Sequence, residues 1–265
     1  MEKEQLKQFK VWFDEFVLGF YGKDEYVNAN IQMKQHHSKC VCCEMLYLAD
    51  QLGLNANQRL LAETIALFHD VGRFPQFIKY RTYSDVRSVN HSLLALDVLR
   101  EKNVLEIIPE QEKLIIEKAV EYHGVKQLPP GLNGDALFFS KMIRDADKLD
   151  IFRVVIEYYK QYRDNPTEFR LEMELPDEPG YSPLLVEGIL NEQRLDYRLL
   201  RTWNDMKLLQ LSWVYDINFI STLKLIRQRE YLETIIDFLP NTADVQKVKQ
   251  KVFEYVDSRI SRESK

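Results

Sequence analysis

The sequence predicts an all-α fold, on three observations. Only nine glycines and nine prolines punctuate 265 residues, too few for a turn-dense β architecture. Leu, Glu, Lys, Gln and Ala, all strong helix formers, run throughout. Apolar residues also recur at three- and four-residue steps in one segment after another. A hydrophobic content of 45% is ample for a buried core.

Taken in order, Phe9, Phe13, Phe16, Val17 and Phe20 mark an amphipathic helix over the first twenty residues, ending near Gly22. A second helical pattern covers 36 to 52 and stops before Gly53. A third covers 56 to 71, starting after Asn55 and rich in Leu and Ala. Residues 72 to 86, GRFPQFIKYRTYSDV, lack a clear period and predict an ordered loop at the end of that helix, a position where loops commonly serve active sites. Helices follow over 89 to 102 and 109 to 124, then a turn-rich break at Leu128–Gly134 and a long helix over 136 to 163.

The segment 165–186 contains four prolines and a glycine and predicts a loop or linker. It divides the chain into residues 1–164, which carry every histidine, and a histidine-free helical extension over 187–265 expected to pack on the same core. In that extension Asn241-Thr242-Ala243-Asp244 reads as a helix start. Trp203, Trp213, Tyr215 and Phe219 read as helix-packing residues.

Charge and cysteine usage narrow the function classes. The net charge of -5 arises from 41 acidic and 36 basic residues mixed along the chain, with no basic block for a nucleic acid backbone. Cys40, Cys42 and Cys43 crowd into one predicted helix, where disulfide geometry is hard to reach, and read as reduced thiols of a cytoplasmic protein. The amino terminus lacks the apolar core of a signal peptide, and no segment has the apolar length of a membrane span, so neither export nor membrane association is expected.

Chemistry concentrates in the first half. His36, His37, His69, His91 and His123 are the five histidines, and apart from the first pair each is separated from the next by about one helix and a connection. Leu61, Ile65 and His69 share a face; so do His91, Leu94, Ala95 and Val98, and so do Ala119 and His123. One inward histidine is an ordinary core residue hydrogen-bonded to a neighbour. Inward histidines from successive helices are costly unless something satisfies their nitrogens, and a divalent cation held with carboxylates does so. Asp70 closes the apolar helix LAETIALFHDVG, and Asp147 shares a stripe with Ile143 and Ile151, with Asp145 and Asp150 as neighbouring alternatives. Mixed imidazole and carboxylate ligands suit Mn, Fe, Ni, Co or Zn better than Ca.

This order of residues, a first His in HHSKCV, the doublet in ALFHDVG and an Asp in DADKLD, resembles the HD superfamily of metal-dependent phosphohydrolases over roughly residues 30 to 160. The resemblance implies an HD-type helical bundle with additional C-terminal helices. It favours His37 over His36, because the family's first His precedes a small hydroxyl residue and then Val, as in Ser38 and Val41. His91 and His123 fill the two further positions of the two-metal branch. The implied cofactor is a divalent metal ion (Mn, Fe, Ni, Co, Zn or Mg), one or two per chain. His37, His69, Asp70 and Asp147 would hold the first, and Asp70 would bridge to a second held with His91 and His123.

The implied reaction is hydrolysis of a phosphate ester of a small metabolite, with a nucleotide favoured, by attack of a metal-activated water. Arg73, in the place of the lysine of the family's HDxGK, would contact phosphate together with Lys148; Lys79 and Arg81 lie in the same basic stretch. The GYP signature is absent, so cyclic di-GMP is not implied. A diiron oxygenase on the same scaffold and a regulatory module without turnover are the alternatives.

Overall fold

The computed structural model describes residues 1–167 and 175–263. They form two compact units, residues 1–150 and residues 151–167 with 175–263. The division falls inside a helix, Gly134–Asp164, rather than at the predicted boundary after residue 164. Among the described residues there is no strand, and no helix is long and apolar enough to cross a membrane.

In the first unit, α1 (Lys3–Leu18) buries the stripe Leu6, Phe9, Phe13 and Val17. Phe9 sets its ring edge-on against Phe68 with centroids 5.2 Å apart. α2 (Glu25–Gln51) begins well before residue 36, because Asp24 caps it through Val27 N at 3.2 Å and the polar run behind that cap carries the buried anchors Val27, Asn30 and Ile31. α3 (Ala56–Phe68) opens on a capping box in which Asn55 and Gln58 each accept the other's backbone N–H.

The predicted loop at 72 to 86 is a correction. It contains α4 (Arg73–Tyr80), which buries Phe74, Gln76 and Phe77 and ends at Arg81 in the left-handed region, φ 56°. Pro75 hides this helix from a periodicity reading, yet it sits in the first turn, where no intrahelical N–H is lost. α5 (His91–Glu101) starts on the Asn90 cap, and α6 (Glu110–Tyr122) follows Pro109. α2 packs on α3, α3 also meets α1 and α6, and α5 packs on α4 and α6. α7 (Gly134–Asp164) runs on from this unit into the next.

The second unit contains residues 151–164 of α7, α8 (Pro183–Leu190), α9 (Trp203–Ser212), α10 (Ile220–Gln228), α11 (Tyr231–Asp237) and α12 (Ala243–Glu263). Part of the predicted linker, 168–174, lies outside the described residues. Its remainder is pinned by the start of α9: Asn204 Nδ2 donates to Glu178 O and Pro179 O at 3.1 Å each, and Asp205 accepts from Ser182 N at 2.6 Å. Trp203 and Trp213 are buried, and Trp213 sits edge-on to Phe152 at 5.4 Å.

Candidate metal centre

Helix ends deliver most of the site. His37 lies within α2 and Asp147 within α7, whereas His69 and Asp70 close α3, His91 is the first residue of α5 and His123 terminates α6. Two of these ends use one device. His69 Nδ1 donates to Ala66 O and His123 Nδ1 donates to Val120 O, both at 2.7 Å, so each ring satisfies a terminal carbonyl of its own helix. The other two histidines donate Nδ1–H to carboxylates, His37 to Asp150 and His91 to Asp85, again at 2.7 Å. An outer partner on Nδ1 fixes the ring and its tautomer and turns Nε2 into the free donor atom, the usual support of a metal-ligating histidine.

All four Nε2 atoms converge on Asp70. Its Oδ2 lies 3.6 Å from Nε2 of both His37 and His69, and its Oδ1 lies 3.5 Å from His91 Nε2 and 3.7 Å from His123 Nε2. One carboxylate oxygen thus faces each histidine pair. Asp147 Oδ1 completes the first side at 3.1 Å from His37 Nε2 and 3.7 Å from His69 Nε2. Three sets of facing ligand atoms result: His37, His69 and Asp70; His69, His123 and Asp147; and Asp70, His91 and His123.

The residues fit metal ions on the structure's own chemistry. His37 Nε2 and His69 Nε2 are buried with no hydrogen-bond partner, an expensive state for a polar atom unless a cation is there to receive its lone pair. His91 Nε2 and His123 Nε2 stand 2.9 Å apart although both rings donate through Nδ1. Two lone pairs so placed repel unless a proton or a cation lies between them. Neighbouring ligands ~2.1 Å from a six-coordinate ion are ~3.0 Å apart, which that spacing meets.

Electrostatics agree. Burial pushes the Asp70 carboxyl up, but Lys34, His69, His123 and Arg73 outweigh it and hold the group well below the usual carboxylate range. Asp147 is likewise held low against burial by His37 and His69. Burial and Arg73 press His91 down to about 3, so its ring is neutral at any ordinary pH. Its partner Asp85 is held at about 2 despite burial, through His91 and Arg73.

Residues 36–152 match the family model for the HD domain, and this part of the chain is an HD domain, the hallmark of a superfamily of metal-dependent phosphohydrolases. Its buried His/Asp cluster is a divalent-metal site in kind. No curated protein and no solved structure matches the chain.

The six residues expected to hold metal lie together, whereas the expected phosphate contacts are placed less simply. Arg73 Nη1 donates to Tyr83 O, to Asp85 at 2.9 Å and to Gln76 at 3.0 Å, bracing the segment after α4. Its Nε is buried with no hydrogen-bond partner, 3.4 Å from Asp70 Oδ1. Lys148 is buried, with Nζ donating to Arg144 O at 3.3 Å. Lys79 lies over the Tyr80 ring and Arg81 pairs with Asp24.

Two contributors, Lys34 and Asp85, escape a sequence reading centred on the histidines, and a third, Asp150, takes another role than the one read. Lys34, one turn before His37, places its ammonium 2.8 Å from Asp70 Oδ2; its i−3 spacing from His37 was the available signal. Asp150, at i+3 from Asp147, is the outer partner of His37 rather than a competing ligand. Asp85 lies in a stretch without periodicity, so only the fold reveals it beside His91.

Proposed function

We propose that the chain is a metal-dependent phosphohydrolase that cleaves a phosphate ester of a small metabolite, with a nucleotide favoured by the family. The carrying observation is the Asp70 carboxylate, one oxygen turned to His37 and His69 and the other to His91 and His123. It supports two divalent ions, of which His37, His69, Asp70 and Asp147 would hold one and Asp70, His91 and His123 the other. Divalent cations there supply a nucleophile from water near neutral pH and Lewis-acid offset of charge on phosphoryl oxygens.

The chain's own residues do the rest. Asp150 and Asp85 lock the rings of His37 and His91 with Nε2 inward, and Ala66 O and Val120 O do so for His69 and His123. Asp147 is the most exposed of the six, at 17% of its side chain against 6% or less for the others, so an ester reaches the centre from its side. Lys34 and Arg73 flank Asp70 with positive charge and favour an anionic substrate.

The test is phosphate release by anaerobically purified protein from nucleotides, sugar phosphates and an aryl phosphate with Mn²⁺, Ni²⁺, Co²⁺ or Mg²⁺, beside Asp70→Ala. Release lost in the variant supports the reading. Metal-loaded protein that turns over none of these esters contradicts it, and turnover that requires both iron and O₂ assigns the centre to oxygenase chemistry instead.

A further inference from the structure

α2 carries a second set of metal-binding side chains on its solvent-facing side. His36, Cys40 and Cys43 stand at i, i+4 and i+7, one stripe of a helix. His36 and Cys43 are exposed and Cys40 is half-buried. None takes part in the His/Asp centre, whose nearest ligand, His37, is buried by the neighbouring face of the same helix.

Cys40 Sγ lies 3.5 Å from His36 Nε2. An ion ~2.3 Å from a sulfur and ~2.05 Å from a nitrogen that far apart would see them, by the cosine rule, at about 107°, against about 109° for a regular tetrahedron. The spacing of the pair therefore suits a two-point tetrahedral chelate. Cys43 lies one turn further along the same stripe; its Sγ is not within ligand spacing of the other two as the side chains stand, and a change of rotamer would bring it in as a third donor. Cys42 is excluded: its Sγ is buried and donates to Glu63 O at 3.6 Å, and burial with the Glu63 charge pushes that thiol up.

We propose that His36, Cys40 and Cys43 form a surface site for a thiophilic cation of the Zn²⁺, Cd²⁺ or Cu⁺ class, separate from the His/Asp centre. A pair of thiolates with an imidazole favours such ions over Mn²⁺, which the thiolate-free imidazole and carboxylate set of the inner centre accommodates. One helix therefore presents two metal sites of different softness, an inner one through His37 and an outer one through its neighbour His36.

The test is a Co²⁺ titration of the reduced full-length chain, followed by the thiolate-to-cobalt charge-transfer band, which ligands of the His/Asp centre cannot produce. The expected result is a band whose intensity saturates at that of one thiolate-bound Co²⁺ per chain, whatever further Co²⁺ the His/Asp centre takes up, disappears in Cys40→Ser, and weakens by at least about tenfold in affinity in His36→Ala and Cys43→Ser. Absence of the band in the wild-type chain would overturn the proposal. So would a band that survives Cys40→Ser, or one indifferent to His36→Ala, which would leave the Cys40–His36 contact a plain hydrogen bond.

Discussion

Gly72→Ala should damage the second half of the metal centre although no ligand is touched. Gly72 lies between the His69-Asp70 doublet and α4, where this turn crosses the start of α5. A Cβ at residue 72 would stand 2.2 Å from His91 O and 2.6 Å from Ala95 N, both backbone atoms that cannot swing aside. Favourable carbon contacts lie at ~3.5–4.0 Å, so the turn and α5 must part by more than about 1 Å. Overpacking of this kind costs about 1–3 kcal/mol, and in a chain of this size each kcal/mol lowers Tm by about 2–4 °C. The larger effect is on His91, whose ring must stay within about 0.2 Å of its ligand position to hold an ion. Thermal melts and metal analysis of Gly72→Ala should show a lower Tm and one ion lost per chain. Gly131→Ala, whose Cβ meets nothing within 4 Å, is the control. A Gly72→Ala protein with wild-type melting and full metal content would refute this reasoning.

Three further outcomes follow from the same geometry. Asp85→Asn replaces the carboxylate that accepts from His91 Nδ1 and Arg73, and should weaken binding of the second ion by about 10–100-fold while sparing the first; equal loss of both would contradict the separation of the two sides. In the metal-free protein, burial and Lys34 press the His37 ring down, but the carboxylates of Asp147 and Asp150 prevail and raise its pKa above 6.5. A raised folded pKa stabilises the metal-free fold below pH 6.5 and loses that contribution as pH rises through it, and the same proton competes with metal. Calorimetry in buffers of different ionisation enthalpy should therefore show proton release on metal binding and affinity that climbs with pH; pH-independent affinity would contradict it. Asp205→Ala removes one half of the α9 capping box, the acceptor for Thr202 N, together with the acceptor for Ser182 N and Arg201 N, and should lower stability by about 1–3 kcal/mol in denaturant melts, with metal content unchanged.

The helices and most of the six converging side chains were legible through the 3.6-residue period, which apolar stripes share with His69, His91, His123 and Asp147; the choice of His37 rested on the resemblance to the HD superfamily. His69 and His123 needed no more than Ile65 and Ala119 one turn earlier on their faces. What stayed hidden lies where the period fails. α4 carries Pro75 and a polar anchor, Gln76, whose role is clear only once its Nε2 is seen to donate to Asp85, Ser88 and Val89 O. Asp85 has no regular neighbours, and Lys34 carries no sequence signal beyond its one-turn spacing from His37 until the fold sets it beside Asp70. The early start of α2 was obscured by Asn28 and Asn30, residues of modest propensity held helical by the Asp24 cap and by burial of Val27 and Ile31.

The most direct measurement is the number of Mn²⁺ ions per chain after loading and desalting, an ion that the thiolate side chains of α2 disfavour, in the wild-type protein and in Asp70→Ala. The bridged centre predicts two ions in the wild-type HD domain and neither held tightly in the variant, since both histidine pairs lose their shared carboxylate. Wild-type protein that retains no divalent metal at the His/Asp cluster, or a variant that binds as many ions as the wild type, would contradict the account.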